Sequence, residues 1–298
     1  MYRIVLADEG IRNTKGFYKN VDDILTTAKN IEEMEKRLRA LLTICCKKNI
    51  KLNPKKIMIV HRVTFGGVGL NGEKKPGDKK RKACITPAKK CLEQCFAIET
   101  PKCRAEVQRI IGMANQLKRW TPGVAFRTCG LRKLTSKNVK FFWNQDIKKE
   151  LEEHKEKIMM HVTLSPIDVT IEVHVHTDAA LKEGMAYLLT QPRYSDPKDG
   201  KTIISCNSTT FRDSQKRYSP YECEEFCVVW CCKSEHYFPR GADEIKVFVD
   251  AKGLKGTYEG ELGKIKNSRL QAIAEKILTY NLNFIHVAGK DNEVADYK

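Results

Sequence analysis

The chain has 298 residues, enough for two ordinary domains, and an apolar fraction of 41%, a little low for a globular protein and far too high for a disordered one. A formal net charge of +17 points to a polyanionic partner, nucleic acid first, although a basic balance alone does not separate that from a membrane surface. No run of 18 apolar residues is present, which excludes a membrane-spanning helix, and the Met1-Tyr2-Arg3 start lacks the apolar core of a signal peptide.

Residues 1–17 contain only a short apolar run, Ile4 to Leu6, too little for a subdomain. In Asn20-Val21-Asp22-Asp23-Ile24-Leu25 two adjacent carboxylates meet an apolar pair, the pattern of a hairpin with buried flanks. A helix follows from Ile31 to Cys46, with Met34, Leu38, Leu41 and Leu42 on one face. Lys51 to Lys56, with Pro54 inside, ends it, and Ile57 to Leu70 reads as strands around Phe65-Gly66-Gly67. Between Lys47 and Lys90 fourteen Lys or Arg stand against two Asp or Glu. Within that span Gly72 to Lys82 is rich in Gly, Pro and Lys and is expected to be a loop. Its Lys79, Lys80, Arg81 and Lys82 are either a solvated surface or part of a track for phosphates. Ala88 to Ile98 and Lys102 to Trp120 are helical patterns separated by Thr100-Pro101, and Thr121-Pro122-Gly123 ends the second. Phe141-Phe142-Trp143 leads into a charged helix, Gln145 to Met160, whose His154 and His161 read as ordinary surface residues. Ser165-Pro166 is the expected domain joint.

Beyond it, β-branched residues recur at Val169, Ile171, Val173, Val175 and Thr177, and Thr170, Glu172, His174, His176 and Asp178 take the other face. Asp178 is expected to close this strand, with Met185 to Leu189 returning across a turn containing Gly184. Pro192 to Gly200 is a polar loop and Lys201 to Ser208 a third strand. Tyr218 to His236 is a helix carrying Glu224, Glu244 to Asp250 a fourth strand ending in an acid, Asn267 to Tyr280 helical, and Asn281 to Val287 a fifth strand. Asn292 to Asp296 begins a last helix. That order describes an α/β domain with a mixed sheet. The twelve cysteines fall on these elements without a CxxC pair, so they read as reduced, mostly buried thiols in a reducing, intracellular compartment, cytoplasmic or nuclear.

An acid at a strand end is by itself an ordinary turn cap. Asp178, Glu224, Asp250 and Asp296, however, all lie among apolar neighbours and all can reach one edge of the sheet. Four gathered carboxylates repel one another unless cations neutralise them, and hard oxygen ligands suit two Mg²⁺ or Mn²⁺ ions. Such a pair activates a water and stabilises the leaving oxygen of a phosphodiester.

On these residues the chain resembles the later part of the reverse transcriptase–RNase H region of a gypsy-type LTR retrotransposon Pol polyprotein. Asn20 to Leu25 resembles the polymerase Tyr-x-Asp-Asp box, and Leu52 to Lys56 with Phe65-Gly66-Gly67 resembles the primer-grip region after it. Ile110-Ile111-Gly112-Met113-Ala114-Asn115 followed by Pro122 is similar to the F-L-G-x-x-N-…-P segment, and Phe142-Trp143 to its F-x-W. Thr177-Asp178-Ala179, then Tyr218-Ser219 with Glu222-Cys223-Glu224, then Val249 to Leu254, then Gly289 to Asp296 resemble the four acid motifs of RNase H, in order. The resemblance implies Asp178, Glu224, Asp250 and Asp296 as metal ligands for cutting the RNA strand of an RNA–DNA hybrid, and Asp22 and Asp23 as polymerase metal ligands.

Carried through, it implies an α+β N-terminal part and three regions. Residues 1–82 would be a partial palm, 83–165 a helical thumb or connection, and 166–298 an RNase H-like five-stranded mixed sheet with flanking helices. Several positions depart from the family. Asn20 replaces the usual Tyr, Glu225 stands where a helix-core Leu is expected, and Lys290 takes the place of a loop His found in some RNases H. Only twenty-one residues precede Asp22, so a third palm carboxylate and fingers are expected to be missing. Primer extension by this chain is then not expected unless a partner chain or further Pol segments supply them. Two readings follow: an enzyme whose surviving activity is hybrid cleavage, and an inactive remnant that grips nucleic acid through its basic half.

Overall fold

The computed structural model describes residues 16–20, 23–71, 84–168, 170–181, 183–192, 200–235, 244–251, 253–254, 267–288 and 292. The chain divides into two compact units, Met1–Lys82 and Ala83–Lys298.

In the first unit, β1 (Phe17–Asn20) and β2 (Asp23–Thr26) form an antiparallel hairpin closed by the pair Asn20 and Asp23. Helix α1 (Ile31–Lys47) starts where the Asn30 side chain accepts the Glu33 N–H at 2.8 Å, and acids in its first turn with Lys47 in its last suit the helix dipole. Strands β3 (Arg62–Phe65) and β4 (Val68–Asn71) make a second hairpin, in a different sheet from the first. Its two-residue turn places Gly66 and Gly67 at φ of 59° and 80°, the left-handed pair that matches the twist of the flanking strands. The expected strand from Ile57 does not form. Ile57 to Val60 are exposed and non-strand, and pairing begins only at Arg62.

The second unit begins with β5 (Cys84–Pro87), whose Ile85 exchanges both backbone hydrogen bonds with Leu164, at 2.8 and 3.0 Å. Helices α2 (Lys89–Phe96), α3 (Arg104–Leu117), α4 (Cys129–Leu134) and α5 (Gln145–Met159) follow. Val107, Ile110 and Ile111 of α3, Leu131 and Leu134 of α4 and Leu151 of α5 bury one another. Glu150 of α5 accepts the N–H groups of Gly130 and Leu131 at 2.9 and 3.0 Å, capping α4 from outside. A side chain at position 130 would strike that carboxylate. The surface assignment of His154 is overturned: it is 2% exposed, because Leu151, His154 and Ile158 form the i, i+3, i+7 stripe that faces the core. His161 is half-buried, with Nδ1 3.0 Å from the Ile158 carbonyl oxygen.

The five-stranded sheet consists of β6 (Val173–Ala180), β7 (Gly184–Pro192), β8 (Lys201–Thr210), β9 (Ile245–Val249) and β10 (Leu282–His286). Their order is β10-β9-β6-β7-β8, with β10, β9 and β6 parallel and β7 and β8 antiparallel, a mixed sheet as expected. Helix α6 (Pro220–Ser234) and helix α7 (Ser268–Ala274) cover one face. There Val173, Val175, Tyr187 and Leu189 meet Val228, Val229 and Cys232, with Ile273 and Ile277 closing the core.

Strand β6 starts later than expected and does not end at Asp178, since pairing with β7 continues through Ala179 with Met185 and Ala180 with Gly184. Nor is its polar face open to water at His174 and His176. Phe126 and Val162 pack on Ala186, Leu188 and Cys206 from that side. Ala125 N–H donates to Ser208 Oγ at 3.0 Å, and His174 and His176 are buried. The His176 ring stacks on Phe248 with centroids 4.5 Å apart.

Candidate active site

Asp178 lies two residues before the end of β6, paired across β7 with Ala186. The parallel pairing of β6 with β9 sets His176 beside Phe248. Carried two residues on, that register brings Asp250, the exposed residue just beyond β9, level with Asp178. Two acids thus sit at the carboxyl ends of adjacent parallel strands, the edge at which open α/β sheets present their chemistry.

Helix α6 delivers the third. Ser219 is its N-cap and Pro220 occupies the first turn. The Ser219 hydroxyl accepts the Glu222 N–H at 3.3 Å and Glu222 Oε2 accepts the Ser219 N–H at 2.7 Å, a complete capping box. Glu224 is two residues further and 5% exposed, and its Oε1 accepts the Ala179 N–H at 3.0 Å. A buried carboxylate on the helix is therefore bonded to the residue that follows Asp178. The third sequence motif supports the same turn of helix, since a side chain added at Gly253 would come within 2.8 Å of the Tyr221 ring.

From the fourth motif, Asn292 is buried and donates from Nδ2 to the Thr177 carbonyl oxygen at 2.7 Å, beside Asp178. Asp296 and Lys290 lie outside the described residues. Among the described residues no group of three or more His, Cys, Asp or Glu is arranged to hold a metal ion. The chemistry of the donors nevertheless fits a hard cation. Burial pushes the Cys223 thiol up to about 11, with Glu224 and Glu222 adding to it, and pushes Cys227 well above its ordinary value, with Glu224 adding to that. Both thiols are packed into the core with Met185 and Phe211, which leaves carboxylate oxygens as the ligands at this edge.

The polymerase-like residues belong to the chain's other unit. Asp23 opens β2 and is exposed, while Asp22 lies outside the described residues. Phe65 is half-buried at the end of β3, and Gly66 and Gly67 form the exposed hairpin tip. Lys79, Lys80, Arg81 and Lys82 lie outside the described residues. Sequence reasoning missed the capping-box partner of Ser219, although Ser219-Pro220-Tyr221-Glu222 carries the S-x-x-E signature. It also missed Arg269, which carries no sequence signal.

Residues 168–280 match the RNase H-like domain found in reverse transcriptase. The chain is 22% identical over 277 residues to the transposon Tf2-3 polyprotein of Schizosaccharomyces pombe, covering 93% of this chain and 20% of that polyprotein. It is 25% identical over 294 residues to the retrovirus-related Pol polyprotein from transposon 412 of Drosophila melanogaster, covering 98% of this chain and 22% of the relative. The chain thus spans about a fifth of the length of the curated relatives it matches. Among solved structures, the foamy viral protease–reverse transcriptase in complex with an RNA/DNA hybrid superposes with a TM-score of 0.74 at 17% identity, over 97% of this chain and 37% of that one. The dRH form of that protein in complex with double-stranded DNA gives 0.73 at 18% identity, over 96% and 48%. Over nearly its whole length the chain shares the fold of part of these protease–reverse transcriptase chains.

Proposed function

We propose that this chain, a segment of an LTR-retrotransposon Pol polyprotein whose residues 168–280 form an RNase H-like domain, cleaves the RNA strand of RNA–DNA hybrids in a reaction that depends on divalent cations. The observation that carries this reading is the hydrogen bond from Ala179 N–H to Glu224 Oε1, which ties the helix acid to the strand that bears Asp178. Asp178, Glu224, Asp250 and Asp296 would hold Mg²⁺ or Mn²⁺, two ions by the family's pattern. When bound, these cations activate a water and stabilise the leaving oxygen of the phosphodiester.

The chain's own residues provide placement. Asp178 is fixed by its pairing with Ala186 of β7, two residues beyond the last pair of β6 with β9. Glu224 is fixed by its bond to Ala179 and by the capped start of α6. Asn292, four residues before Asp296 in sequence, is itself tied to the Thr177 carbonyl oxygen. Asp22 and Asp23 take no part in this cleavage. The hybrid would be recognised by its A-like shape and 2′-hydroxyls, with Lys79, Lys80, Arg81 and Lys82 and the hairpin tip at Phe65, Gly66 and Gly67 as its further contacts.

The test is cleavage of an end-labelled RNA–DNA hybrid with Mg²⁺, with EDTA, and with Asp178→Asn. Cleavage that needs Mg²⁺ and disappears in the variant is expected. Metal-dependent cleavage that survives Asp178→Asn would move the active centre elsewhere. No cleavage by the parent chain, with hybrid binding retained, would favour the remnant reading.

A further inference from the structure

The first turn of α6 is gripped from the side opposite the strand edge. Glu222 and Glu224 are two residues apart, which turns their side chains about 200° from one another around the helix. Glu224 faces Ala179. Glu222, 5% exposed, faces the start of α7. There Arg269 Nη1 donates to Glu222 Oε1 at 3.0 Å. The Arg269 guanidinium also lies over the Tyr218 ring, 4.9 Å from its centroid. Asn267 holds this arginine in turn, since its side chain caps α7 by accepting the Arg269 N–H at 2.9 Å and reaches Glu222 Oε1 from Nδ2 at 3.5 Å. Tyr218 meets Phe226 of α6 edge-on, with centroids 6.0 Å apart.

We propose that Arg269 is a positioning residue for Glu224: through Glu222 and Tyr218 it locks the start of α6 so that the Glu224 carboxylate stays against the end of β6. The inference rests on the cleavage reading above for its catalytic consequence but not for its structural one. Glu222 has two tasks. One oxygen caps its own helix by accepting the Ser219 N–H, and the other takes the arginine. A charge-assisted hydrogen bond of this kind resists the small rotation of α6 that would carry Glu224 away from Ala179. Because the arginine is half-exposed and the glutamate is buried, the pair is loaded from one side only. Losing the arginine leaves the glutamate desolvated and drives the turn to rearrange.

The test uses the full chain carrying Arg269→Met, with Arg269→Lys as the conservative variant and Glu222→Gln as the second. Hydrogen exchange of the Ala179 amide reads the Glu224 contact without any need for activity. Loss of the grip is expected to speed that exchange about tenfold, the size of one lost charge-assisted hydrogen bond. Arg269→Lys should restore most of the protection. In the cleavage assay, Arg269→Met should raise the Mg²⁺ concentration for half-maximal rate and lower kcat, with KM for the hybrid unchanged. If Arg269→Met unfolds the unit, Glu222→Gln, which keeps a capping oxygen, should show the same pattern.

A variant that melts lower yet keeps parental Ala179 exchange and Mg²⁺ dependence would overturn the proposal and leave Arg269 as a structural ion pair only. If the parent chain cleaves no hybrid, the cleavage reading fails, and Ala179 exchange still decides the grip.

Discussion

Replacing Glu235 by Ala should destabilise the second unit without harming its chemistry, because it cuts the anchor at the far end of α6. Glu235 Oε1 accepts from the Tyr187 hydroxyl at 2.8 Å and from Ser205 Oγ at 2.6 Å, and all three residues are buried. Asn207 Nδ2 lies 3.4 Å from the same tyrosine oxygen. Burial raises the Tyr187 pKa far above its ordinary value, so its proton is always available to donate. Hydrogen bonds to a charged acceptor contribute about 1.5–3 kcal/mol each, and removing a desolvated carboxylate offsets part of the loss. The net cost is then about 2–4 kcal/mol, which in a unit of this size lowers the melting temperature by about 5–12 °C. Tyr187→Phe should cost about 1–2 kcal/mol, since Ser205 still reaches the carboxylate. Urea unfolding followed by tryptophan fluorescence is the assay. All three tryptophans, at 120, 143 and 230, lie in Ala83–Lys298, and the Trp230 ring is 4.9 Å from Tyr187. Eleven residues of helix, about 16 Å, separate Glu224 from Glu235, so cleavage below the transition should be unchanged. A loss smaller than about 0.5 kcal/mol, within the scatter of neutral surface changes, or loss of cleavage by the still-folded variant would refute the reasoning.

Three further outcomes follow from the same residues. Burial depresses the His174 pKa below 6.5 despite its bond to Glu172, so the folded state favours neutral imidazole. That contribution is complete above the ordinary value and is lost as the pH falls through the folded one. The urea midpoint should therefore drop from pH 7 to pH 5, and His174→Gln should flatten that part of the profile; an unaltered profile would assign it to another group. Iodoacetamide on the native chain, read by peptide mass spectrometry, should label exposed Cys46 and Cys103 and spare buried Cys227 and Cys231, whose thiols burial holds protonated. Native labelling of Cys227 would contradict the packing of α6. Exchanging Lys79, Lys80, Arg81 and Lys82 for Gln should weaken hybrid binding and flatten its salt dependence, because each neutralised phosphate releases about 0.9 counterion on duplex DNA; a parental salt slope would remove this segment from the binding surface.

Much of the fold was legible because its elements repeat a period. Helix α1 ran one residue past its expected end, β8 two, and α3 kept its apolar stripe through Ile110 and Ile111. What failed was reading a polar period as a wet face. His176 on β6 occupies a polar position in its pattern, yet it is buried against the Phe248 ring of β9, whereas His154 on α5 is a polar residue on the apolar stripe itself, between Leu151 and Ile158. Local pattern reports which side chains share a face and cannot report whether another layer covers it. Ile57 to Val60 failed in the other direction. Three β-branched residues and Met58 stay exposed and outside any strand, because propensity for a pleated surface is realised only where a partner strand exists.

The acids were legible one at a time, as carboxylates set among apolar neighbours, but the placing of Asp178 and Asp250 at one end of the sheet is a property of topology. Between Asp178 and Asp250 the chain makes two antiparallel strands and a helix before it returns. It comes back beside β6 rather than at the open edge beyond β8. That one choice of neighbour makes the two strands parallel and puts both acids at the same end; insertion beyond β8 would have set them three strands apart. Helix α6 lies in the crossover that this placement requires, and its first turn reaches the same end of the sheet, which is why Glu224 meets Ala179. The motif order along the chain is therefore informative only in combination with the crossover, and α6 is held in that crossover at both ends, by Arg269 on Glu222 at its start and by Tyr187 on Glu235 at its far end, the second serving stability rather than the site.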